Sequence, residues 1–74
     1  MAERLGATCR EARQAAGLSL LDIANRADVS QTTIHYFETA GSYWSPKTDV
    51  IVNAYARETG RRARDLWQEA LDRK

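Results

Sequence analysis

Leu20-Leu21-Asp22-Ile23-Ala24-Asn25-Arg26-Ala27-Asp28-Val29-Ser30-Gln31-Thr32-Thr33-Ile34-His35-Tyr36-Phe37-Glu38 is the most informative stretch of this 74-residue chain. It divides into two short helical patterns, Leu20 to Ala27 and Gln31 to about Thr39, joined by a turn of about three or four residues. Two short helices that cross steeply pack only if the residue near the crossing is small and both inner faces are apolar. Ala24 is the small residue, and Ile23, Ala27, Val29, Ile34 and Phe37 supply the apolar set. Asn25, Arg26, Gln31, Thr32, Thr33, His35 and Tyr36 are then left facing outward.

The flanking residues extend this pattern into a bundle. Ser19 is a natural N-cap, and Asp22 three residues on makes a capping-box-like pair with it. Ser30 caps the next helix in the same way. Upstream, Leu5, Cys9, Ala12 and Ala16 recur at spacings of four, three and four, predicting a helix over Ala2 to Ala16 with one buried stripe. Gly17 then suits the helix end, where positive φ is needed. Downstream, Ala40-Gly41-Ser42-Tyr43-Trp44-Ser45 reads as a loop, and Ser45-Pro46 as the opening of a fourth helix that runs to about Thr59 and is broken by Gly60. A fifth helix carries Ala63, Leu66, Trp67, Ala70 and Leu71 on one face. The one proline and four glycines are read as falling where helices end, and no period-two strand pattern of any length is present. The expectation is an all-α, five-helix single domain over residues 1–74.

A tight turn between two such helices is what the DNA-reading helix-turn-helix demands, here over about residues 20–38. The ordered set Gly17-Leu18-Ser19-Leu20-Leu21-Asp22-Ile23-Ala24, Val29-Ser30-Gln31-Thr32-Thr33-Ile34, Glu38 and Gly41 resembles the lambda-repressor/Cro (XRE) family of regulators. With Arg13 upstream and Pro46 downstream, the resemblance covers about Leu5 to Leu71. It implies a five-helix lambda-repressor-like DNA-binding domain. The chain departs from the family at three places. Leu20 stands where Gln is common, Asp28 where the turn usually has Gly, and Ser42-Tyr43-Trp44-Ser45 where Lys and Arg are usual.

The resemblance places Gln31, Thr32 and Tyr36 at base-facing positions, and Thr33 and His35 project from the same two turns. Gln can pair bidentately with adenine, and Thr can offer a hydroxyl to a base or its methyl to thymine. The bland alternative is an ordinary solvated polar face. The family also implies a partly buried ion pair between Arg13 and Glu38, against the alternative of two exposed side chains worth little. Arg10, Arg13, Ser19, Ser42, Ser45 and Lys47 are the candidates for phosphate contact. Tyr43 and Trp44 either stack on the sugar–phosphate edge or cover the core. The Arg61, Arg62 and Arg64 cluster reads as a solvated face, with subunit or phosphate contact as the alternative. Trp67, if exposed beside Leu71, would be an association surface.

Composition bounds these readings. Eleven basic and ten acidic residues leave a net charge of +1, so DNA contact would depend on where charge is placed. Gln31 to Phe37 carry no formal charge unless His35 is protonated. One cysteine excludes an internal disulfide and a cysteine-based metal framework; Cys9 reads as a small core hydrophobe. One histidine with no thiol pair makes a zinc site an unexpected reading. No nucleophile–base–orienter set and no Gly-rich phosphate cradle is present, so neither an enzyme, a cofactor nor a small-molecule substrate is expected. No run spans a bilayer, and the first residues lack an apolar signal core, which points to the cytosol. The expected activity is sequence-specific binding of double-stranded DNA in the major groove by a transcriptional regulator. It would be a repressor of phage or plasmid type, or the DNA-binding half of a longer one, acting as a homodimer on a two-fold site or as a monomer. The alternative is a protein-interaction module of the same fold, an antitoxin or adaptor, with Tyr43, Trp44 and Trp67 as its surface.

Overall fold

A computed structural model describes residues 2–39 and 48–72, with side chains from Leu5 onward. Among these residues the chain forms five helices and no strand: α1 (Ala2–Ala15), α2 (Leu20–Ala27), α3 (Gln31–Thr39), α4 (Thr48–Thr59) and α5 (Ala63–Asp72). The predicted opening of the fourth helix at Ser45-Pro46 lies outside the described residues.

Three of the helices end by one device. After α1, Leu18 N–H donates to the Arg13 carbonyl at 3.1 Å and Gly17 N–H to Gln14 at 3.1 Å, with Gly17 at φ 71°. After α2, Val29 N–H donates to Ala24 at 3.1 Å and Asp28 N–H to Asn25 at 3.4 Å, with Asp28 at φ 58°, ψ 46°. After α4, Arg61 N–H reaches the Ala56 carbonyl at 3.0 Å across Gly60, φ 73°. Each is a left-handed residue closing the last turn back on itself. At the turn between α2 and α3 that residue is Asp, which bears positive φ at less cost than most residues with a Cβ.

The core draws on every helix: Leu5, Cys9 and Ala12 from α1, Ile23, Ala24 and Ala27 from α2, Ile34 and Phe37 from α3, Ile51, Val52 and Tyr55 from α4, Leu66 and Ala70 from α5. The helix α1 packs on α3 and α5, and α2 on α3 and α4. Three expectations are corrected. Ala16 lies in the turn after α1 and is exposed, so the stripe ends at Ala12, and Thr8 joins it as a buried residue. Leu71 is exposed, about 100° further round α5 than the buried Ala70. Gly6 ends no helix; it sits inside α1, where a Cβ would overlap the Phe37 carbonyl oxygen and press on Glu38 Cα at 3.3 Å. That glycine lets the backbones of α1 and α3 touch. Among the described residues no helix is long and apolar enough to cross a membrane.

Candidate nucleic-acid interface

The second helix of the pair, α3, is started by Ser30, whose hydroxyl accepts from Thr33 N–H at 3.1 Å. The Ser30 and Thr33 hydroxyls are also 2.9 Å apart, and Thr33 is half-buried. The Thr33 side chain is thus turned into the cap. Gln31, Thr32, His35 and Tyr36 stand exposed on the outer face, Tyr36 with 55% of its surface open. The His35 and Tyr36 rings lie 6.0 Å apart and tilted. With Leu20 from the start of α2, these four residues line a shallow depression.

On the opposite side α3 is fastened by a buried polar cluster. Arg13 of α1 donates from Nε to Glu38 Oε2 at 2.8 Å and from Nη2 to Oε1 at 3.0 Å, a two-point fork. Its Nη1 donates to the Leu18 carbonyl at 2.9 Å, so one side chain holds the α1–α2 turn as well as α3. The Tyr55 hydroxyl of α4 donates to Glu38 Oε2, and its ring packs on Phe37 with centroids 5.7 Å apart. Glu38 is buried yet receives three donors, which compensates its removal from water. The bonds to Glu38 raise Arg13 above its ordinary pKa. Burial, reinforced by the bond to Glu38, pushes the Tyr55 hydroxyl far above its usual range, so it stays a donor. Burial and then the Glu38 charge push the adjacent Cys9 thiol up to about 12, which keeps it neutral and unreactive.

The residues singled out for phosphate contact fall into three groups. Arg10 is exposed on α1. Arg13 has three of its N–H groups engaged inside the protein. Ser19 is exposed and caps α2, accepting from Asp22 N–H at 3.1 Å while its own N–H donates to Asp22 Oδ2 at 2.9 Å. Those bonds hold the Asp22 carboxyl below its ordinary pKa. Ser42, Ser45 and Lys47, with Tyr43 and Trp44, lie outside the described residues.

Of the arginine cluster, Arg61 pairs with Glu69 of α5, while Arg62 and Arg64 are exposed. Trp67 is partly buried against the core. Among the described residues no group of three or more His, Cys, Asp or Glu could hold a metal ion. Tyr55 and Gly6 are two residues of this arrangement that the sequence reading does not single out. A buried tyrosine needs an acceptor, but only the packed fold shows that Glu38 is the one.

A model of the family described as helix-turn-helix domain matches residues 4–57. That segment holds most of α1, all of α2 and α3 and most of α4, hence the whole fastening cluster and the exposed face of α3. No curated protein and no solved structure matches the chain.

Proposed function

The chain belongs to the helix-turn-helix domain family, a DNA-binding family, and from that premise we propose that it is a sequence-specific transcriptional regulator reading double-stranded DNA. One observation carries the reading. The outer face of α3 is exposed and polar and carries no Asp, Glu, Lys or Arg, while its inner face is locked to α1 and α4 through Glu38. A recognition helix needs both, because base contacts discriminate only when the side chains arrive in fixed register.

In this reading α3 enters the major groove from its N-terminal end. Gln31 pairs with adenine, and Thr32, His35 and Tyr36 contact neighbouring base edges; Thr33, turned into the cap by its bond to Ser30, has its methyl and its remaining hydroxyl capacity to offer. Arg10, the remaining Arg13 N–H groups, Ser19, Ser42, Ser45 and Lys47 set the register on the phosphates. The net charge of +1 gives modest non-specific affinity, so the domain relies on base contacts, bound as a homodimer on a two-fold site or as a monomer on an asymmetric one. Repression, as by a small phage- or plasmid-type regulator, is the activity that a DNA-reading domain performs simply by occupying its site.

Selection of bound duplexes from a random DNA pool, with the winner titrated across salt, tests this. The expected result is an enriched motif whose affinity falls steeply with salt, and Gln31→Ala blurring one position of it. If no duplex is bound even at low salt, the reading fails, and a protein-interaction module becomes the one to pursue.

A further inference from the structure

We propose that Leu20 and Tyr36 form a methyl-reading subsite, in which the depression they line with Gln31, Thr32 and His35 takes the 5-methyl group of a pyrimidine. The inference rests on the DNA-reading function of α3 and adds a specificity residue that lies on the preceding helix.

Leu20 is the first residue of α2, half-buried and packed against the core. The reciprocal bonds between Ser19 and Asp22 fix the backbone on either side of it. Its Cα is therefore held at a fixed point beside α3, and its aliphatic side chain can give no hydrogen bond to a phosphate. What it offers is an aliphatic wall beside the first turn of α3. Tyr36 supplies the facing wall, one helical turn beyond Thr32 and more than half exposed. An aliphatic and an aromatic group thus frame a hollow on a face that is otherwise polar. The only apolar group that a base pair presents in the major groove is the 5-methyl of thymine, which 5-methylcytosine shares. Gln31 lines the same hollow, so a methyl seated there lies within about one base step of the base that Gln31 reads.

The test uses the duplex obtained by selection. Each thymine is replaced in turn by deoxyuridine, which removes the methyl and nothing else. One position per half-site should lose affinity by roughly three- to fivefold, the yield of burying one methyl group. At that position 5-methylcytosine should bind more tightly than cytosine; comparison with thymine shows which methylated base the subsite prefers. Leu20→Gln and Tyr36→Ala should each flatten the response, and Tyr36 is exposed enough that its loss leaves the fold intact. Duplex binding that is indifferent to every uracil substitution overturns the inference and leaves the DNA-reading function standing. So does a uracil penalty that survives undiminished in both variants. Failure to bind any duplex would instead remove the function on which the inference rests.

Discussion

Among the described residues, Arg13–Glu38 and Arg26–Glu58 join helices at nearly the same distance, 2.8 Å and 2.7 Å. The first ties α1 to α3, and its side chains are 12% and 3% exposed; the second ties α2 to α4, at 48% and 24%. Arg13 grips both carboxylate oxygens of Glu38, and Tyr55 adds a third donor, whereas Arg26 reaches Glu58 through Nε to one oxygen. Distance alone would rank the pairs as equals. Their surroundings do not, because a pair in water exchanges one set of favourable contacts for another, while a buried carboxylate has only the donors the fold provides.

The largest effect expected from this contrast is that of Arg13→Ala. It leaves Glu38 buried with Tyr55 as its remaining donor and should cost about 3–5 kcal/mol, the usual result of stranding one half of a buried pair. A domain of this length holds roughly 4–11 kcal/mol in total, so the variant should be close to unfolding at room temperature. Urea denaturation followed by circular dichroism measures this. A loss below about 1 kcal/mol would put the buried pair in the class of surface pairs and break the comparison.

Tyr55→Phe comes next and sharpens the contrast by removing a single donor. The phenylalanine ring keeps the contact with Phe37, and Glu38 keeps both bonds from Arg13. The expected loss is about 1.5–3 kcal/mol, the range for a hydrogen bond to a charged group. Combined with Arg13→Ala, the two losses should not add, since both act on one carboxylate. Strict additivity in the double variant would show that the Tyr55 hydroxyl and Arg13 act independently and are not coupled through Glu38.

Much of the fold could be read from the sequence, but little of this contrast. The helix-turn-helix follows from local rules: Ala24 at the crossing, Ser19 and Ser30 at the caps, apolar residues at helical spacing. Exposure of Gln31, Thr32, His35 and Tyr36 follows from the same periodicity. The link between Arg13 and Glu38 is implied only by family resemblance, because nothing local brings residues on separate helices together. Tyr55 and Gly6 need the fold itself. A glycine between Leu5 and Ala7 reads as the end of a helix until α3 is seen lying against it. Ala16 shows the opposite error: its spacing fits the stripe, but the glycine that follows ends the helix before Ala16 can turn inward.

Arg26→Ala is the smallest perturbation and the one most able to overturn the argument. Arg26 loses a half-exposed contact, Glu58 is returned to water, and solvent screening limits the cost to about 0–1 kcal/mol. Whatever coupling Arg26→Ala shows with Glu58→Ala in a double-mutant cycle should shrink further in 1 M salt, where the Debye length is about 3 Å. The buried pair should respond far less, because its charges are shielded by protein rather than by ions. If the Arg26–Glu58 coupling instead proved as large as that of Arg13–Glu38 and indifferent to salt, then α2 would be held to α4 as firmly as α3 is held to α1. Glu38 would still fasten α3, but burial would no longer be what sets that anchor apart from a surface pair.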